Sequence, residues 1–359
     1  MQQNRKFFVL LVLLCTVALF GIPFLSVAEN RDKVSQTAAL PASSPKQAAR
    51  FATEKTTTPA ANSSPAPASS SAVEALKKET FTVLHADGKT ISTISCREFL
   101  IFTLAAEMLP SFELEALKAQ AVAAYTYFCY EREREKENPQ KSLCGADFAD
   151  TPVPFPEGYT AAYWQKKWGR ETYAAAYEKL AAAVDAVAGQ QITYKGKPIL
   201  AAYHAVSPGK TEVAETVWAS ALPYLQSVDS SADKNAPDFT TTVRFSVDEF
   251  KAAVADLKGI DLSSSPDKWI SPEITRSAAG TVLKLTVGSV ALTGRECRTR
   301  FGLRSACFSV VFEQNGFTFT VTGHGHGVGL SQYGAQFAAQ NGDNYIQILH
   351  HYYTDVEIK

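Results

Sequence analysis

The chain has 359 residues, 46% of them hydrophobic and 11% aromatic, with 35 Lys+Arg against 36 Asp+Glu, for a formal net charge of -1. That balance excludes a general electrostatic binder of nucleic acid, and the apolar content excludes a wholly disordered chain. Six cysteines in such a length are too sparse for a disulfide scaffold.

Arg5 and Lys6 precede an apolar run, residues 7–28, broken only by Thr16, Gly21, Pro23 and Ser26. About 20 apolar residues suffice to cross a bilayer as a helix, and basic residues ahead of them hold the N-terminus in the cytoplasm. Ser26-Val27-Ala28 also fits a signal-peptidase site, so the segment reads as an uncleaved anchor or a signal removed after Ala28. Either way the rest of the chain is expected outside the membrane. Residues 29–72 are rich in Ala, Ser, Thr and Pro, with Val34, Leu40 and Phe51 as their larger apolar residues. Such a stretch buries too little surface to offset its ordering entropy and reads as a disordered tether. Residues 73–359 remain for one folded domain.

The patterned part begins near Thr80, with two short strands, 81–84 and 90–94, around the turn Asp87-Gly88. Ser95 and Glu98 form a capping-box pattern that opens an apolar helix through Phe99, Leu100, Phe102 and Leu104. Pro110 disfavours helix at Leu109, which puts the end of this helix just after Glu107. A second helix is expected from Ser111, with Leu114, Leu117, Ala121, Ala124 and Phe128 as one buried stripe and 131–137 as a solvated end of alternating charge. A proline-bearing loop follows, 144–158, then an Ala-rich helix, 172–188. Strands are expected at 191–194, 198–206, 282–287, 290–293, 308–312 and 317–321, with mixed strand and helix over 239–260 and a return to helix from Ser331. The expected class is α+β: a single extracytoplasmic domain with an N-terminal helical core and a β-rich remainder, behind a membrane helix and linker.

Chemistry is concentrated in two places. Glu107 ends an apolar helix, where burial and the negative helix end both disfavour the carboxylate. A carboxyl kept protonated near neutral pH is what a glycosidic general acid requires; a plain surface glutamate at a helix end is the alternative. In residues 323–329, four glycines alternate with His324, His326 and Val328. Glycine at that density lets the backbone approach a ligand, and in an extended segment both histidines would share a face. They could donate to a polar ligand or bond to the backbone; a metal is the weaker reading, since two histidines make only half a structural zinc site.

The run 107–124, Glu107-Met108-Leu109-Pro110 through Ala124, resembles the first signature of the SpoIID/LytB domain family, and 325–335, Gly325-His326-Gly327-Val328-Gly329-Leu330-Ser331-Gln332-Tyr333-Gly334-Ala335, is similar to its second. Intervening stretches, among them 196–205, Val217-Trp218, Arg298 and 302–305, follow the family pattern, so the resemblance covers roughly 80–359. It implies a lytic transglycosylase that cleaves the MurNAc–GlcNAc bond of peptidoglycan, preferring strands without stem peptides and leaving 1,6-anhydro-MurNAc ends, in septal wall remodelling during sporulation engulfment. Glu107 is then the catalytic acid/base, and His204, Ser207, His326, Ser331, Gln332 and Tyr333 the substrate-binding residues. The implied partners are glycan strands, the membrane through residues 7–28 and a wall amidase or endopeptidase, with no nucleic acid. Some members hold zinc through His and Cys in the loop after the second helix; this loop has Cys144 and no histidine, so neither metal nor cofactor is expected. A non-catalytic, amidase-enhancing wall binder is the other role the family admits. The family's Arg after the second helix's Ala-Ala is Tyr125 here, its Ser-Gly-Gly is Ser207-Pro208-Gly209, and its Glu-Met-Pro carries an added Leu109. By sequence proximity, Cys129 with Cys144 and Cys297 with Cys307 are the candidate disulfides.

Overall fold

The computed structural model describes residues 65–149, 151–218 and 220–359. The expected membrane segment and most of the expected linker lie outside these residues. No helix among the described residues is long and apolar enough to cross a membrane. The architecture is α+β, with two hydrophobic cores.

The first core is helical. It begins earlier than expected: α1 (Ser70–Lys78) is capped by Ser69, whose hydroxyl accepts from the Ala72 N–H, and buries Leu76, so the boundary at 72/73 falls inside a helix. The hairpin β1 (Thr80–Leu84) and β2 (Ile91–Ser95) follows in antiparallel register, Phe81 facing Ile94. Ser95 then caps α2 (Cys96–Glu107), accepting from the Glu98 N–H, and the helix stops at Met108, which turns to extended backbone.

The second long helix, α3 (Leu114–Glu137), starts three residues later than Ser111. The chain between is a turn closed by the Phe112 N–H on the Leu109 carbonyl, and the Glu113 N–H is satisfied by Gln336 from a distant helix. Nor is α3 amphipathic. Residues 116–129 are buried on every side, while Leu114 is exposed. Its Ala119, Ala121, Ala123 and Ala124 let neighbours approach all round, and a helix apolar on all faces belongs inside a core. The charged end is solvated only in part: Glu133, Lys136 and Glu137 are exposed, but Glu131 pairs with Arg134 at 2.6 Å, Glu135 accepts from the Gln140 N–H, and these two glutamates are buried.

Helices α4 (Ala161–Trp168), which periodicity did not reveal, and α5 (Arg170–Ala186) follow. The expected strand over 198–206 is mostly irregular, with only β4 (Lys197–Pro198), beside β3 (Ile192–Tyr194), and β5 (Tyr203–His204) extended and paired. Its alternation was absent because the segment is threaded through the core, not laid on a face. A five-residue helix, α6 (Ala214–Trp218), comes next.

The second core is β-rich. It gathers β6 (Thr240–Ser246), α7 (Val247–Val254), β7 (Thr275–Arg276), β8 (Val282–Val287), β9 (Val290–Leu292), α8 (Gly294–Arg300), β10 (Phe308–Glu313) and β11 (Gly316–Thr322). Its sheets run β10-β11-β6 and β7-β8-β9, around a stack of Phe250 on Phe317 with ring centroids 3.9 Å apart. The chain then re-enters the first core through β12 (Leu330–Ser331), α9 (Gln332–Gln340), α10 (Tyr345–Tyr352) and β13 (Glu357–Ile358). The division is therefore not an N-terminal helical half and a β-rich remainder: the C-terminal helices complete the helical core, and the β-rich part is inserted between them. All five cysteines of the described residues are free thiols, so neither sequence-adjacent pair is a disulfide.

Candidate active site

Strand β12 is the seam of the molecule. It pairs in parallel with β5, Leu330 beside Tyr203 and His204 beside Ser331, so two segments separated by the whole β-rich insertion lie side by side. The glycines ahead of it permit this. A Cβ on Gly329, where φ is +70°, would stand 2.1 Å from the Ala202 carbonyl oxygen, and one on Gly325 would stand 2.7 Å from the His204 Cβ. The close approach expected of this loop is thus made to the chain's own 202–206 segment.

The seam ends at Glu107. Gln332, the first residue of α9, donates from Nε2 to Glu107 Oε2 at 2.9 Å. Glu107 is 6% exposed, at the end of α2 and directly before its C-cap, Met108. Its charge reaches two buried phenols: burial first, and Glu107 in addition, push the Tyr203 and Tyr159 hydroxyls upward, so both stay protonated. The two sequence signatures, 225 positions apart, therefore meet at one carboxyl.

The remaining expected residues divide by surroundings. Ser331 and Ser207 have no exposed surface; they are engaged with Asp233, whose Oδ2 accepts from the Ser331 hydroxyl and from the Ser207 N–H at 2.6 Å. Ser331 also caps α9, accepting from the Gly334 N–H. Tyr333 is half-buried, edge-on to Phe112 at 5.0 Å. His204 and His326 face each other with ring centroids 5.7 Å apart, and Trp218 lies 5.2 Å from His326. His324 and His326 do not share a face: Gly325, at φ +115°, breaks the extended alternation, and His324 goes to Arg304 at 3.1 Å. Burial depresses the His204 imidazole to about 4 and His326 well below its usual range, with Arg298 adding to both, so both rings are neutral near pH 7.

Asp233 escaped the sequence reading. It sits in a short 3-10 turn, Ser231–Asn235, with no motif, and only the fold packs that turn against α9, where burial first of all raises its carboxyl to about 6. Its other oxygen accepts from Ser230, which bonds Tyr352 in turn. Tyr125, where the family has Arg, donates to Glu79 at 2.6 Å, on the side of α3 toward β1.

The site is thus a buried carboxyl at a helix end, bonded by a side-chain amide and close to the two phenols Tyr203 and Tyr159. The stage II sporulation protein family model, SpoIID, matches residues 85–194. The chain is 36% identical over 278 residues to stage II sporulation protein D of Bacillus amyloliquefaciens, covering 77% of each, and 36% identical over 279 residues to that of Bacillus subtilis strain 168, covering 77% of this chain and 78% of the relative. The chain belongs to the SpoIID family of sporulation proteins. A Bacillus subtilis protein named amidase enhancer is 27% identical over 303 residues, and only 38% of that longer protein is covered.

Proposed function

We propose that this chain is a peptidoglycan lytic transglycosylase, held outside the cell membrane by its N-terminal segment, acting on glycan strands during sporulation. The observation that carries this reading is the Glu107 carboxyl, buried at the end of α2 and held by Gln332 where the two signatures meet. One such carboxyl suffices for the reaction. Its proton goes to the glycosidic oxygen as the C1–O bond breaks; the carboxylate then takes the proton of the MurNAc C6 hydroxyl as that oxygen bonds to C1. The product is a 1,6-anhydro end, no water is consumed, and no second catalytic carboxyl is needed, unlike most glycosidases.

The test is mass spectrometry of digests of peptide-free glycan by the parent chain and Glu107→Gln. The parent should yield anhydro-MurNAc ends. The nearly isosteric variant should lose about two to four orders of magnitude in rate with its melting temperature unchanged. Reducing ends would select a hydrolase instead. The amidase-enhancer relative favours one second reading, a wall binder that stimulates an amidase; retained glycan binding without any cleavage selects it.

A further inference from the structure

Three donors from three stretches of the chain converge on the Asp233 carboxyl. Its Oδ2 accepts from the Ser331 hydroxyl and from the Ser207 N–H at 2.6 Å, and its Oδ1 accepts from the Ser230 hydroxyl at 3.0 Å. Ser207 lies just past β5, and Ser331 ends β12, so one side chain ties together the two segments that form the seam. Asp233, Ser207 and Ser331 all have no exposed surface. A carboxyl taken out of water is costly unless its oxygens are bonded, and here both are.

The carboxyl decides how Ser331 is turned. A hydroxyl has one proton to give and lone pairs to accept with. With its proton on Asp233, the Ser331 oxygen accepts from the Gly334 N–H at 3.3 Å and so caps α9. The Ala205 carbonyl is the alternative acceptor, at 3.5 Å, longer than a good hydrogen bond. The residue after Ser331 is Gln332, whose amide donates to Glu107 Oε2 at 2.9 Å. Asp233 thus reaches the acid through one hydroxyl, one peptide and one amide. Its own end of this path is fixed. The Ala236 N–H bonds the Asp233 carbonyl at 2.8 Å, and the Ser230 N–H bonds that of Gly209 at 3.0 Å. From α10, Tyr352 meets the Ser230 hydroxyl at 2.9 Å and His351 Nε2 meets the Asp229 carbonyl at 2.7 Å.

We propose that Asp233 is a positioning residue of the reaction: it holds Ser331 so that Gln332, the next residue, keeps the Glu107 carboxyl in its working orientation. The inference rests on the transglycosylase reading above. It gives Ser207 and Ser331 a holding role in the same clamp. Two consequences follow from the path. A small displacement of an acid slows the chemical step far more than it weakens binding, so the effect of Asp233 falls on kcat. Asp233 also acts only by way of Gln332, so once the Gln332 amide is gone there is little left for it to position.

The experiment is a double-mutant cycle on the full-length chain: the parent, Asp233→Asn, Gln332→Ala and the two changes together. Each protein is taken through steady-state kinetics on peptide-free glycan and a thermal melt. Asparagine is nearly isosteric and keeps one acceptor oxygen for Ser207 and Ser331, but it lacks the charge that makes hydrogen bonds to a carboxylate about twice as strong. Asp233→Asn should therefore lower kcat at least about fivefold and change KM less than about twofold. In the Gln332→Ala background the same change should cost less than about twofold, because residues that act through one contact are not additive. Asp233→Leu, which removes every acceptor, should bring kcat down to about the level of Gln332→Ala; where it does not fold, the asparagine cycle decides. Full kcat in Asp233→Asn overturns the proposal. So does a loss that multiplies with that of Gln332→Ala, which is how a residue that only supports the fold behaves, and so does a loss carried by KM, which would make Asp233 a determinant of binding. A parent chain that yields no anhydro ends removes the transglycosylase reading and the positioning role with it, whereas an active parent with multiplying losses removes the positioning role alone.

Discussion

At the residue scale, Glu107 and Gln332 are one device. The Gln332 amide donates to one carboxyl oxygen and holds it in place, which in the proposed reaction fixes how the carboxyl meets the substrate. A hydrogen bond to a charged group contributes about 1.5–3 kcal/mol. Gln332→Ala should therefore lower turnover by about tenfold or more, with kcat falling further than KM changes. Steady-state kinetics on peptide-free glycan, alongside a thermal melt, checks this. A variant that keeps its kcat would mean that the backbone around Met108 positions the acid without help.

At the element scale, the weight falls on the first turn of α9. Its cap, Ser331, donates to Asp233, and Gly334, the second residue beyond Gln332, lies against Asp233, Ser230 and Tyr352. A Cβ on Gly334 would lie 2.0 Å from the Tyr352 hydroxyl and 2.8 Å from both Asp233 Oδ1 and Ser230 Oγ. Gly334→Ala should therefore cost about 1–3 kcal/mol, as overpacking of a filled interior does, and should reduce activity as well, because the same turn carries Gln332. Denaturant unfolding read together with turnover tests the coupling; stability lost with full activity kept would separate the turn from the site.

At the scale of the whole molecule, two kinds of buried group oppose each other in acid. His204, lowered to about 4 by burial, is neutral in the fold. Its contribution is complete above about pH 6.5 and is lost as pH falls toward 4, an effect of about 3 kcal/mol at ~1.4 kcal/mol per pH unit, and His326 acts in the same direction. Asp233, raised from 3.8 to about 6 by burial, favours its protonated form in the fold and so offsets part of that loss over the same window. The chain should lose stability on acidification from pH 6.5 to 4, and Asp233→Asn, which removes the offset, should lose it more steeply. Melting temperatures across that range for both proteins provide the check. Parallel curves would mean that Asp233 does not titrate there.

Some of this was legible in the residues themselves. Ser95 before an apolar run and Pro110 after it dictate α2 and leave Glu107 at its end, because capping and proline act within a few residues. In the β-rich core, the strand over 317–321 was visible because one face is buried and period-two alternation survives, whereas 282–287 alternates only from Leu285 onward. The all-round burial of α3, the threaded path of 198–206 and the splitting of the helical core across an insertion were not visible, since each depends on what packs against a segment and not on its own pattern. The site shows the same division. Sequence alone put a carboxyl at a helix end and a glycine-rich histidine loop far along the chain. Only the tertiary structure brought Gln332 to Glu107, engaged Ser331 and Ser207 with an unmarked Asp233, and bonded two imidazoles to Val328, because hydrogen bonds between distant segments leave no local trace in composition or spacing.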